Sequence, residues 1–349
     1  MKKILICPLN WGLGHATRCI PVARELQRQG FLVDFASDGG PLDLLRLEFP
    51  ESQFFELPGY RISYPTNNIL INVGRHLGTI VSAIRHEHRI VREITNRHEY
   101  DILISDNRYG CYANQTHNIF ICHQVNILSP VGALNPAVNA FHHRLIRKFD
   151  QCWIPDFPES PGLSGQLGHD HTLPRYRYIG PISRMSRYEC PAKYRVTAVL
   201  SGPEPQRSHL ETKLRGQMSS LPFATAIVSG VVSSATPVHE GQMVHFPFLT
   251  SAQLNDVLME SEIIICRGGY SSLMDLIALQ KKAICIPTPG QTEQEYLTRI
   301  HAQHGYLLRQ EQDALELRSA LDQIDECSGF PMKPQPALLQ EAIQEIYSL

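Results

Sequence analysis

Short apolar runs recur along this chain, each closed by glycine or polar residues and followed by a stretch with helical spacing. In the first half the runs cover residues 3–7, 31–36, 101–105, 119–122 and 152–155. In the second half they cover 196–201, 225–229, 243–245, 263–266 and 283–286. Such runs, bounded by turn signals, fit strands buried on both faces. The amphipathic stretches between them, among them 16–29 and 69–97, fit helices, and Gly30 supplies a helix stop. Strand and helix in alternation predict parallel α/β sheets. Gly180-Pro181 breaks the chain between the two series. The expectation is a first domain over residues 1–180, a second over 181–332, and a closing helical segment over 333–349. A connection rich in Pro, Tyr and Asn spans 58–68, and residues 156–175 read as an irregular surface excursion.

Length and composition narrow the reading. With 349 residues, 43% of them hydrophobic, the chain can bury two cores. Lys and Arg number 32 against 34 Asp and Glu, so no basic field argues for nucleic acid. Nine scattered cysteines without a CxxC spacing suit a reducing cytoplasm. The apolar run at the N-terminus is cut short by Pro8, Asn10 and Trp11, so it reads as a first strand and not a leader. No stretch approaches the roughly 20 apolar residues of a membrane span.

The densest polar chemistry lies in residues 262–295. The run Ile263-Ile264-Ile265-Cys266 ends at Arg267, Gly268 and Gly269, a helix-like stretch follows, and the next apolar run opens into a Pro/Gly loop. In parallel sheets ligands sit outside the carboxyl ends of the strands, where glycine lets the backbone come close. Ser271 and Ser272 stand at the helix entrance, where free N–H groups favour an anion. Asp275, one turn on, has the reach to hold a ribose diol, and residues 291–295 add polar contacts for a sugar. The pattern predicts a nucleotide-sugar site; the plainer alternative is a glycine turn that only packs a helix on a sheet.

A second glycine loop, Asn10-Trp11-Gly12-Leu13-Gly14-His15, follows the first strand directly. Histidine ionises nearest to neutrality. His15 can therefore accept the proton of a hydroxyl as its oxygen attacks an anomeric carbon. Capping the helix or binding a phosphate is the alternative.

These segments resemble GT-B glycosyltransferases, most closely family 28, whose members add N-acetylglucosamine to the peptidoglycan lipid intermediate. That family carries C-R-S-G-A-x-T-x-x-E and then P-x-x-x-x-D-x-Q; here the counterparts run from Cys266 to Asp275 and from Pro287 to Gln294. The resemblance implies an α/β GT-B fold, with two Rossmann-like domains facing across a cleft. The first would take the acceptor, the second the nucleotide-sugar donor, and the last helix would cross back to the first. By the same resemblance Asp275 binds the ribose in place of the family's glutamate, and Glu293 and Gln294 lie near the donor sugar. Phe248 or Leu249 would offer backbone groups to the base. Arg267, Gly268, Gly269, Ser271 and Ser272 would line the donor. In the GxGH loop, Gly14 approaches the ligand, His15 is the general base, and Asp106 orients it; a loop carboxylate that caps a turn is the alternative for Asp106. Ile179-Gly180-Pro181-Ile182-Ser183-Arg184 is similar to the family's G-N-P-x-R, which implies that Arg184 reaches the diphosphate; a solvated interdomain arginine is the alternative. Ser201, Gly202 and Gln206 occupy the family's glycine-rich loop, but Pro203 and Pro205 depart from the pattern and carry no N–H.

The activity so implied is an inverting, metal-independent hexosyl transfer from a UDP-sugar to a hydroxyl acceptor, with no cofactor. It belongs to cell-envelope polysaccharide synthesis in the cytoplasm. A lipid-linked acceptor, with peripheral contact at the inner face of the membrane, is one form of it. The loop GLGHATRC is also similar to UDP-sugar hydrolases of the pseudaminic acid pathway, where the histidine would activate water. A UDP-sugar hydrolase or epimerase and a non-catalytic nucleotide-sugar-binding subunit therefore stay open. The basic run Arg75, His76, Arg85, His86, His88, Arg89, Arg92, Arg97, His98 suits a lipid surface or a solvated helix face. His142-His143 reads the same way, and His169 and His171 flank Asp170 in the irregular excursion without convincing metal spacing.

Overall fold

The computed structural model describes residues 1–59, 69–129, 132–230 and 236–347, with the side chains of 69–77, 79 and 80 left aside. Most of the expected 58–68 connection, the Arg75 and His76 side chains, and residues 348–349 lie outside the described residues. The chain forms two compact units, Met1–Gly180 with Gln335–Leu349, and Pro181–Pro334.

The first unit runs β1 (Lys3–Pro8), α1 (Gly14–Arg28), β2 (Leu32–Ser37), α2 (Gly39–Glu48), β3 (Phe54–Glu56), α3 (Ile69–His98), β4 (Ile102–Asp106), β5 (His117–Ile121), α4 (Asn135–Ile146), β6 (Gln151–Ile154) and β7 (Tyr176–Tyr178). Its strands pair in parallel in the order β3-β2-β1-β4-β5-β6-β7. The order reverses between β1 and β4, and a crevice at such a switch point is where open α/β sheets bind ligands. Register pairs Pro8 with Asp106, so the loop after β1 and the end of β4 share that point.

The second unit runs β8 (Tyr194–Val199), α5 (Gln206–Met218), β9 (Thr225–Val228), β10 (Val238–Glu240), β11 (Met243–Phe246), α6 (Ser251–Met259), β12 (Ser261–Cys266), α7 (Tyr270–Leu279), β13 (Lys282–Cys285), α8 (Thr292–Gln303), β14 (Leu308–Arg309) and α9 (Leu317–Gln323). Its order, β10-β11-β9-β8-β12-β13-β14, repeats the first, with the reversal between β8 and β12. Among the described residues only β10 pairs antiparallel, as an edge strand. The final helix, α10 (Pro336–Tyr347), belongs to the first unit, into which it buries Leu339, Ala342, Ile343 and Ile346.

The strands are apolar because both faces are covered: Ile4, Leu5, Ile6 and Cys7 of β1 have no exposed surface, nor do Leu103 and Ile104 of β4. In the second unit Val196, Ala198, Ile227, Ile263, Ile265 and Ile284 join Leu210 and Leu214 of α5 in one core. Two sequence expectations need correction. The strand expected over 101–105 extends to Asp106. The region 156–175 is not a loose excursion: the buried Asp156 carboxylate accepts from the main-chain N–H groups of Phe157, Leu163 and Ser164 and from the Ser164 hydroxyl, which pins the loop. His169 lies beside that carboxylate at 3.4 Å.

Candidate functional site

In the first unit the loop after β1 turns at Gly12, whose φ of +78° favours glycine. Leu9 N–H donates to the Asp106 carbonyl at 3.0 Å, tying the loop to the end of β4. Gly14 opens α1 and puts His15 in its first turn. His15 Nδ1 meets Asp106 Oδ1 at 2.7 Å. With the proton on Nδ1 donated to the carboxylate, Nε2 on the far side of the ring keeps its lone pair.

Asp106 has further partners that sequence reasoning did not assign. Arg18, one turn along α1 and 2% exposed, donates from Nε to Oδ2 and from Nη2 to Oδ1. Its Nη1 lies 2.9 Å from His123 Nδ1, and its Nη2 2.8 Å from His15 Nδ1. Arg18 lies three residues after His15 and is buried along α1 with Cys19, Ile20, Val22 and Ala23. Burial pushes the Asp106 carboxyl up, but Arg18 and His15 outweigh it and hold the group well below the usual carboxylate range. Burial and Arg18 push His15 below its ordinary value, with Asp106 opposing.

Beside the same loop a cavity of about 500 Å³ is lined by Asn10, Asp38, Gly39, Glu56 and Gly59 among others. Asn10 donates to Asp38 at 2.8 Å. The buried Arg108 bridges Asp38 and the buried Glu87, so the cavity wall is braced from below. Trp11 stands 59% exposed on the loop.

In the second unit β12 ends at Arg267, Gly268 and Gly269, and Gly269 caps α7 with extended backbone. Gly268 has φ +67°, and a Cβ there would lie 2.3 Å from Thr298 Cγ2, so side chain and backbone both require glycine. Ser271 and Ser272 are half-buried in the first turn of α7. Asp275 follows, accepting from the Ser183 hydroxyl at 2.5 Å. Burial pushes its carboxyl up to about 6, with Arg184 and the Ser183 bond opposing. Ser183, next to Arg184 in the linker, was not foreseen. Arg184 itself donates to Ser251 Oγ at 2.9 Å, at the start of α6.

Arg267 is 1% exposed, donating to the Gln206 carbonyl at 2.6 Å; it braces the loop after β8 from beneath, where a direct ligand contact was expected. Ser201 and Gly202 are exposed in that loop, and Gly202 takes φ +100°. Gln294 accepts from Thr288 N–H at 2.8 Å and donates to Gln291 at 2.7 Å, so its amide holds the loop after β13. Glu293 is half-buried in the first turn of α8, and Phe248 and Leu249 are half-buried between β11 and α6. The structure thus gathers His15 and Asp106 at one switch point. It places Ser201, Gly202, Arg267, Gly268 and Gly269 around the other. All nine cysteines are free. Among the described residues no helix is long and apolar enough to cross a membrane.

Comparison with known proteins agrees with this layout. Residues 224–348 match the glycosyltransferase family 28 C-terminal domain. An uncharacterized glycosyltransferase of Methanosarcina mazei is 23% identical over 351 residues, covering 87% of this chain and 84% of that protein. Among solved structures, MurG of Acinetobacter baumannii superposes with a TM-score of 0.56 at 13% identity, covering 100% of both chains. The spinosyn rhamnosyltransferase SpnG, complexed with thymidine diphosphate, gives a TM-score of 0.61 at 13% identity, covering 100% of this chain and 96% of that one. The fold is GT-B, two α/β domains each built on a parallel sheet, and the likenesses support a glycosyltransferase.

Proposed function

We propose that this protein is an inverting glycosyltransferase that moves a hexose, N-acetylglucosamine or a relative, from UDP to a hydroxyl acceptor. The observation that carries the reading is the 2.7 Å pairing of His15 with Asp106 at the first sheet's switch point. His15 Nε2 takes the proton of the acceptor hydroxyl. The acceptor oxygen bonds to the anomeric carbon, and the bond from that carbon to the diphosphate oxygen breaks with inversion, its electron pair leaving on UDP. In the second unit, the N–H groups at the start of α7 and the charge of Arg267 stabilise the departing diphosphate. Asp275 accepts from the ribose hydroxyls. Glu293 and Gln294 face the donor sugar, and Arg184 adds charge near the phosphates. The cavity beside Asn10 and Asp38 takes the polar part of the acceptor. Helix α3, with Arg85, Arg89 and Arg92 exposed, gives a cytoplasmic enzyme a face to rest on anionic lipid.

The reading is tested by calorimetric binding of UDP, TDP, GDP and ADP to the wild type and Asp275→Ala, followed by turnover of UDP-N-acetylglucosamine in wild type and His15→Ala. UDP is expected to bind most tightly and to lose affinity in Asp275→Ala. His15→Ala should cost roughly 10²- to 10⁴-fold in turnover with binding unchanged. Free sugar released without an acceptor, well above background, would replace transfer by hydrolysis. Tight UDP binding with no turnover, indifferent to His15, would leave a binding subunit.

A further inference from the structure

The charged and titratable groups facing His15 are Arg18, Asp106 and His123, and Cys19 completes the shell around the carboxylate with its thiol 3.6 Å from Asp106 Oδ2. In an isolated histidine–aspartate pair the full carboxylate charge favours the imidazolium. Here that charge is already met. Arg18 places two N–H donors on the two oxygens of Asp106, and His15 Nδ1 lies 2.7 Å from Oδ1 and 2.8 Å from Arg18 Nη2. Asp106 is completely buried and Arg18 2% exposed, so no water competes strongly for these bonds. The third nitrogen of the fork, Nη1, lies against His123 Nδ1 at 2.9 Å, which fixes the guanidinium from its other end.

We propose that Arg18 is a positioning residue for the reaction: by taking up the charge of Asp106 and locking its plane, it leaves His15 a fixed, neutral ring with Nε2 open to the acceptor's proton. This rests on the reading of His15 as the base. The planar fork matters as much as the charge, because a lysine presents one compact ammonium and cannot span both oxygens and His123. His15 and Arg18, three residues apart on α1, share one helix face, so the helix sets the geometry without the aid of a loop.

The experiment is an NMR titration of the histidine side chains in the ¹⁵N-labelled full chain, for wild type, Arg18→Gln and Arg18→Lys. UDP calorimetry on the same proteins serves as the control. In the wild type His15 should titrate below about 6.5, with the proton of the neutral ring on Nδ1. Arg18→Gln should raise that titration by about one pH unit or more, Arg18→Lys by less, and UDP affinity should stay within about twofold throughout. A wild-type His15 that titrates at or above 6.5, or that carries its proton on Nε2, overturns the proposal even if neither variant folds. So does an unmoved titration in a folded Arg18→Gln. Failure of the base reading appears elsewhere: His15→Ala would consume UDP-N-acetylglucosamine as fast as the wild type. That result removes the role of Arg18 in the reaction while its effect on the His15 titration stands.

Discussion

The guanidinium of Arg267 donates to the main-chain carbonyl of Gln206 at 2.6 Å and, among the described residues, forms no ion pair. A buried cation without a counter-charge is costly to folding, and burial alone lowers its pKa, to about 10. It stays charged at neutral pH all the same. On the proposed reading, that charge is kept for the diphosphate of the donor.

Arg267→Met should therefore separate stability from binding. Removing an uncompensated buried charge for an apolar group of similar length should leave the melting temperature within a few degrees of the wild type. UDP affinity should fall about tenfold, the effect of roughly 1–2 kcal/mol of lost attraction. Thermal unfolding and calorimetry on one preparation decide the matter. A large loss of stability with unchanged affinity would make Arg267 a purely structural brace.

The neighbouring glycines should respond in opposite ways. Gly268→Ala forces a Cβ to 2.3 Å from Thr298 Cγ2 at φ +67°, and should cost more than about 2 kcal/mol in urea unfolding, with loss of UDP binding. Gly269→Ala meets only Gln294 Nε2 at 3.8 Å and should stay within about 0.5 kcal/mol. Equal costs at the two positions would contradict the turn geometry.

Asp275 gives a pH dependence whose sign can be worked out. Its folded value of about 6 lies above the unfolded reference of about 3.9. Between these values the folded chain binds more protons than the unfolded chain, so this residue's contribution to stability falls as pH rises from about 4 to about 6. Compared with Asp275→Asn, the wild type should lose stability through that window and run parallel outside it. Urea unfolding at half-unit pH steps measures the difference. A constant difference would mean that Asp275 ionises as an ordinary carboxylate.

Glu87 and Arg108 are both fully buried, and Glu87 also accepts from Gly110 N–H at 2.9 Å. Glu87→Ala removes one of the two carboxylates that pair with Arg108 and should destabilise the first unit by about 3–5 kcal/mol. On the proposed placement of the donor site in the second unit, UDP affinity should not change. Denaturant unfolding and calorimetry test the two halves of this statement.

The central strands were legible in the sequence because parallel strands buried on both faces carry unbroken apolar runs, as in β1, β4 and β12. The strands without such runs were not. β3, β7, β10 and β14 have two or three residues each, and Tyr176, Val238 and His239 are exposed on them. The approach of His15 to Asp106 was implied by the resemblance of the GxGH loop and the end of β4 to glycosyltransferases that use a histidine base. Arg18 was not, since an arginine on an amphipathic helix usually marks the solvated side. Its burial is set by Asp106, 88 residues later in the chain, and that relationship exists only once β1 and β4 have paired.

Helix α10 carries a consequence for the order in which the protein can be made. The second unit is one continuous stretch, Pro181–Pro334, whereas the first needs residues from both sides of it. Lys2 donates to the Tyr347 carbonyl at 3.0 Å, and Phe31 packs edge-on against Tyr347. During synthesis the second unit can therefore close on itself before residues 336–347 exist. The unit whose residues emerge first from the ribosome is completed last, and until then the apolar surface that α10 covers, Phe31 included, is open to chaperones.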